Sequence, residues 1–173
     1  GKDDSPKHDF MVEKYLSDDG ALVWLRGSAG HTAPLWAHQG NPIAPYVYVS
    51  PDERWIVCVV QLYAGVSAAR LYRRTGGLRY VEITPSPFSD RAWDFFRAQT
   101  HHPFAQDERY QIATGTWFPK SHAMLVELFG DDGKTSVTGW YCYYNLEKDR
   151  FYLDATVRAK NRNSVSNNRS KGS

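Results

Sequence analysis

The chain has 173 residues, enough for one domain with a real core and too few for two comfortable ones. Much of its 42% hydrophobic content lies in large rings (6 Trp, 11 Tyr and 8 Phe), which suits a strand-rich fold, and no run is long enough to cross a membrane as a helix. The formal charge of +2 hides an asymmetry: residues 157–173 carry Arg158, Lys160, Arg162, Arg169 and Lys171 and no acid, and without those five cations residues 1–156 stand at −3, against nucleic-acid binding by the folded part.

Residues 1–9 are polar and charged and read as a flexible arm. Phe10–Tyr15 and Ala21–Leu25 follow as strands around Ser17-Asp18-Asp19-Gly20. Residues 26–45 are loop-like apart from a short strand near Pro34–Ala37, so 10–37 makes an abbreviated unit. A full four-strand meander then fills 46–83, with strands Tyr46–Val49, Trp55–Leu62, Ala68–Arg73 and Leu78–Ile83. Trp55–Val60 is almost unbroken β-branched and aromatic residue, the mark of a strand covered on both faces. Ser50-Pro51-Asp52-Glu53 has turn chemistry, and Gly76-Gly77 marks a tight hairpin.

Beyond Pro85 and Pro87, Ser89 reads as an N-cap. Ala92, Trp93, Phe95 and Phe96 recur at helical spacing, which predicts one short helix over 90–99 that covers a sheet edge or face. The meander returns over 114–157. Pro119 lies over Pro51 and 123–128 over 55–60 at an offset of 68; Tyr144 over Tyr72, Tyr152 over Tyr80 and Asp154 over Glu82 at an offset of 72. The slip falls in the middle hairpin, where loops absorb insertions. Residues 10–157 thus read as a single β-rich domain, and 158–173 as a disordered basic tail.

Repeated four-strand meanders resemble propeller blades, and Ser50-Pro51-Asp52-Glu53-Arg54-Trp55-Ile56 resembles the turn and strand of TolB-type β-propeller repeats. The chain holds fewer blades than a closed ring needs. The expected fold is therefore mainly β: antiparallel four-strand meanders in an incomplete propeller-like or twisted sheet assembly, its open edges covered by the helix, by the N-terminal segment or by another subunit, as in a homo-oligomer. The resemblance implies a binding role outside the cytoplasm, periplasmic or secreted; a cytoplasmic place stays open. The chain starts with Gly rather than Met, which leaves a removed signal peptide open.

No catalytic motif, cofactor fingerprint or metal-ligand spacing stands out. Gly133-Lys134-Thr135 lacks the upstream glycine of a phosphate loop and joins two strands, so it reads as a hairpin turn. Cys58 and Cys142 lie in strands, either as buried thiols or as a disulfide if the strands face each other. Two features carry the binding expectation. The hairpin 70–80 interleaves Arg70, Arg73, Arg74 and Arg79 with Tyr72 and Tyr80, guanidiniums beside rings. In the cluster Trp140, Tyr141, Tyr143 and Tyr144, alternation leaves one ring pair to face outward, with Trp140 and Tyr144 as the candidates. The first reading is a non-catalytic module for a protein or glycan ligand. A saccharide hydrolase using Asp154, Glu82 or Glu127, and nucleic-acid binding through the hairpin and tail, are the alternatives.

Overall fold

The computed structural model describes residues 1–40 and 43–168. Its thirteen strands are β1 (Lys2–Asp4), β2 (Phe10–Ser17), β3 (Gly20–Gly27), β4 (Thr32–Gln39), β5 (Tyr46–Val49), β6 (Trp55–Tyr63), β7 (Val66–Gly76), β8 (Arg79–Glu82), β9 (Arg109–Phe118), β10 (Ala123–Asp131), β11 (Thr135–Asn145), β12 (Arg150–Tyr152) and β13 (Val165–Asn167). Two helices, α1 (Phe88–Thr100) and α2 (Ala155–Lys160), join them where the sequence predicts one. The fold is mainly β, with a four-stranded antiparallel sheet β1–β4 and a larger open sheet in the order β12-β11-β10-β9-β7-β6-β5.

The chain forms three successive four-strand meanders: β1–β4, β5–β8 and β9–β12. The first is complete rather than abbreviated. Lys2–Asp4 pairs with β2 through Lys2↔Glu13, Asp3↔Val12 and Asp4↔Met11, so residues 1–9 are not a loose arm. Its Ser-Pro turn precedes β2. Ser5-Pro6-Lys7-His8 makes the same turn as Ser50-Pro51-Asp52-Glu53: Ser5 and Ser50 each accept from the residue three on, at 2.9 and 2.8 Å. Their hydroxyls accept from Phe10 N and Trp55 N at 3.1 and 3.0 Å. His8 and Glu53 both sit in the left-handed region, at φ 60° and 59°. Ser17–Gly20 is the β2–β3 turn.

The second and third meanders share their inner register. Ile56 pairs with Tyr72 and Met124 with Tyr144; Cys58 pairs with Arg70 and Val126 with Cys142. The fourth strands do not follow the same offset. Tyr72 faces Glu82, whereas Tyr144 faces Phe151, so Phe151 rather than Asp154 is the counterpart of Glu82. Asp154 instead caps α2, its Oδ1 accepting from Val157 N at 2.9 Å.

Alternation along β6 decides how the meanders stack. Ile56, Cys58, Val60 and Tyr72 pack with Phe10, Val12, Val23, Leu25 and Trp36 of the first meander. Trp55, Val57, Val59, Ala69 and Leu71 point the other way, into a core shared with Met124, Val126, Leu128, Trp140, Cys142 and Tyr144 of the third. Both faces of β6 are covered, as its unbroken apolar run predicts. The helix α1 fills the wedge between the second and third meanders: Trp93 stacks on Phe104 at 4.6 Å, Phe96 meets Trp140 at 5.1 Å and Phe88 meets Tyr144 at 4.9 Å. Ser89 does not cap it. Pro87 holds the N-cap position, and the buried Ser89 hydroxyl accepts from Ala69 N at 3.0 Å, which fastens the helix to β7.

The basic tail is ordered through Asn168. The helix α2 and strand β13 line the outer edge of β11, where Asn161 bonds both N and O of Tyr141 at 2.7 Å and Val165–Asn167 pairs with Thr135–Val137. Residues 169–173, with Arg169 and Lys171, lie outside the described residues.

Candidate functional site

The hairpin and cluster residues singled out in the sequence do not form one exposed surface. Along β7 the 70/72/74 side turns toward the first meander. Tyr72 is 5% exposed inside that core, and burial raises its hydroxyl pKa. Tyr80 packs against the same core and donates to the Glu53 carbonyl oxygen, with its pKa pushed up to about 12 by burial. Arg74 lies 5.7 Å over both the Phe10 and Tyr80 rings, gives its Nε–H to Gly77 O at 2.6 Å, and stands 3.9 Å from the buried carboxylate of Glu53. Arg70 pairs with Glu82 at 3.3 Å, and Arg79 is exposed on the neighbouring strand. The hairpin therefore joins two meanders, and its rings and Arg74 are spent internally.

The aromatic cluster is also turned the other way from the expectation. Trp140 and Tyr144 are 3% and 1% exposed and belong to the core beside α1. Tyr144 donates to Asp149, which also binds Arg91 at 2.9 Å. The outward pair is Tyr141 and Tyr143, both half-buried. Tyr143 stacks on Tyr152 at 5.2 Å and meets Phe118 edge-on at 5.7 Å. Periodicity separates the two pairs correctly but carries no sign. The sign comes from α1, which takes the Trp140/Tyr144 side.

A different set of residues converges at the seam between β5–β7 and β9. The parallel pairing of β7 with β9 consists of Val66↔Tyr110, backed by Tyr110 N–H donating to Gly65 O at 3.0 Å. Beyond that bridge the strands diverge and leave a groove of about 250 Å³ lined by Tyr46, Tyr48, Val59, Gln61, Ser67, Gln111, Ile112, Ala113, Thr114 and Phe129. It carries no carboxylate, Lys, Arg or His side chain. Val47 and Val49 pack against the first core, which sends Tyr46 and Tyr48 to the groove side. Tyr46 is 65% and Tyr48 38% exposed; their rings lie 17° from parallel at 6.5 Å.

Gly115, at φ +105°, makes room for Tyr48. A Cβ there would come 2.4 Å from Tyr48 Cγ, so only glycine lets the ring lie against β9. Gln111 and Phe129 also border a wider hollow of about 430 Å³ with Arg109, Tyr110 and Asp131 at its far side. There the Tyr110 hydroxyl is raised by partial burial and by its hydrogen bond with Tyr63. A Tyr-x-Tyr alternation on a four-residue edge strand is the sequence signal that could have pointed here.

The carboxylates considered for hydrolysis are on separate elements with structural partners. Glu82 binds Arg70 and Ser86, Asp154 caps α2, and Glu127 hydrogen-bonds Tyr141. Among the described residues no group of His, Cys, Asp and Glu could hold a metal ion. No helix of the structure is long and apolar enough to cross a membrane. Cys58 and Cys142 are buried and unpaired, in different cores, and burial pushes the Cys58 thiol up to about 12. No protein-family model matches the chain, and a search of curated proteins gives no match.

Proposed function

We propose that the chain is a non-catalytic binding module that holds an uncharged ligand, a protein segment or a glycan, along the groove of Tyr46, Tyr48, Gln111 and Phe129. The observation that carries this reading is the groove itself: stacked exposed rings and amides with no charged side chain in its lining. Exposed aromatic surface that no neighbour covers is the usual mark of an interaction site. The repeated turn at Ser5 and Ser50 and the cores shared between meanders favour a propeller-like assembly; a place outside the cytoplasm rests on the TolB-type resemblance of the Ser50–Ile56 run alone. A hydrolase reading gains no support from carboxylates on separate elements. Nucleic-acid binding through the 70–80 hairpin loses support from the internal use of Arg74.

The test is residue-resolved NMR titration with pools of neutral oligosaccharides and of unstructured peptides. The expected result is a set of shifts confined to 46–48, 111–114 and 129. Shifts centred on the 70–80 hairpin, or cleavage of an oligosaccharide, would overturn the proposal.

A further inference from the structure

Resting on that reading of the groove, we infer that its ligand is a neutral glycan, with sugar faces laid on Tyr46 and Tyr48 and hydroxyls read by Gln61 and Gln111. Three observations narrow the chemistry. First, the lining has no charge, so an anionic polymer or an acidic or basic peptide would give up its hydration without a counter-charge in return. Second, the other polar side chains are already in use: Ser67 Oγ accepts from Ile112 N at 2.9 Å and Thr114 Oγ1 donates to Leu125 O at 2.7 Å. Gln61 and Gln111 make no side-chain hydrogen bond among the described residues, and each amide offers both a donor and an acceptor, as vicinal sugar hydroxyls require. Third, the Tyr48 half of the platform is set before anything binds. Tyr48 lies against the bare Cα of Gly115, so little ordering cost remains for that ring, and the nearly parallel Tyr46 extends the surface toward the flat apolar face of a pyranose.

The open edge of β5 offers pairing to a peptide main chain, which makes a peptide the competing occupant in the titration below. Two side-chain amides flanking rings suit scattered hydroxyls better. The affinity expected is modest and insensitive to salt, because no ion pair forms.

The experiment is calorimetric and NMR titration of the full chain with hexaoses of glucose, xylose, mannose and N-acetylglucosamine, a panel of unstructured peptides and heparin, at low and high salt. At least one neutral hexaose should bind with salt-independent affinity and shift Tyr46, Tyr48 and Gln111. Tyr46→Ala should weaken it roughly fivefold and Tyr46→Phe much less, since stacking is worth about 1 kcal/mol and tenfold is about 1.4 kcal/mol. Gln61→Leu and Gln111→Leu should each cost about two- to tenfold. Tyr46 and Gln61 are exposed, so unchanged melting curves of their variants separate lost binding from lost fold. Binding of peptides alone at the groove would overturn the glycan inference and leave the binding-module reading standing. Binding of heparin alone with a steep salt slope would overturn the inference too. If none of the probes moves the groove, both fall.

Discussion

Glu53 gives the sharpest test of how the first two meanders are joined. Its side chain is fully buried, Oε2 accepts from Lys7 N–H at 3.1 Å, and Oε1 lies 3.9 Å from Arg74 Nη1. Its own carbonyl takes the Tyr80 hydroxyl, so one residue touches the turn before β2 and both strands of the β7–β8 hairpin. Glu53→Ala removes a hydrogen bond to a charged acceptor, worth about 1.5–3 kcal/mol. It also leaves Arg74, whose side chain is 24% exposed, without its buried counter-charge. Breaking a fully buried pair costs about 3–5 kcal/mol, and access to water puts Arg74 below that, so the expected loss is about 2–4 kcal/mol. The backbone supplies an internal control. At φ 59° a Cβ is strained, so Glu53→Gly should be about 1 kcal/mol less destabilising than Glu53→Ala despite losing the same contacts. Urea unfolding monitored by tryptophan fluorescence measures both. A loss under about 1 kcal/mol for Ala, or a Gly variant less stable than the Ala variant, would refute the role assigned to Glu53.

Arg26 hydrogen-bonds Glu13 and, with Tyr15, holds its carboxyl at about 2 against an ordinary 4.5. The stabilisation is complete above about 4.5 and is lost as pH falls toward 2, so the melting temperatures of the parent chain and Glu13→Gln should converge across that window. Burial raises both thiols, so Cys58 and Cys142 should not react with a thiol reagent in the native protein and should react together when urea unfolds it. Gly130→Ala would set a Cβ 2.5 Å from Phe104 Cζ and 2.7 Å from Arg109 O, a clash expected to cost about 1–3 kcal/mol in the same unfolding assay. Truncation after Leu153 removes the Asn161 and β13 contacts along β11 and should lower the melting temperature and promote association through the bared edge; an unchanged melting curve would show those contacts to be idle.

Strands and their pairing were legible because β-branched runs and Gly-rich turns act locally. The strands of the second meander and the inner register of the third follow from residue type and spacing. Two local rules also failed in instructive ways. The tail from 158 to 168 has only Ala159 and Val165 as apolar residues, yet it is ordered because Val165 packs on the core and Asn161 and the strand Val165–Asn167 satisfy open backbone on β11, which composition does not register. Likewise Ser89 has the chemistry of an N-cap, but its hydroxyl serves Ala69 N–H instead, a partner twenty residues away. The groove was missed for a related reason. It arises where β7 and β9 part, and Tyr46 and Gln111 meet there only once that seam exists.

The three meanders also explain why equivalent positions carry different chemistry. On the side turned to the preceding meander, the second uses Cys58 and Tyr72 and the third Val126 and Tyr144, all buried against a neighbour. In the first meander the counterparts are Glu13 and Arg26, paired at 2.7 Å, and no other sheet of the described structure covers them. On the opposite side, Val59 and Ala69 of the second meander lie in the core, whereas the third has Glu127 and Tyr141 bonded to each other, with Lys160 5.0 Å over the Tyr141 ring. Each slot follows the presence or absence of a covering sheet rather than its place in the repeat. Charge appears where apolar packing has no partner, as at the terminal units of stacked repeats. The first repeat was hard to find for this reason. Its Ser-Pro turn survives, but its β2 strand reads Phe-Met-Val-Glu-Lys-Tyr, and an alignment that weighs apolar residues alone slides past it to the more hydrophobic β3.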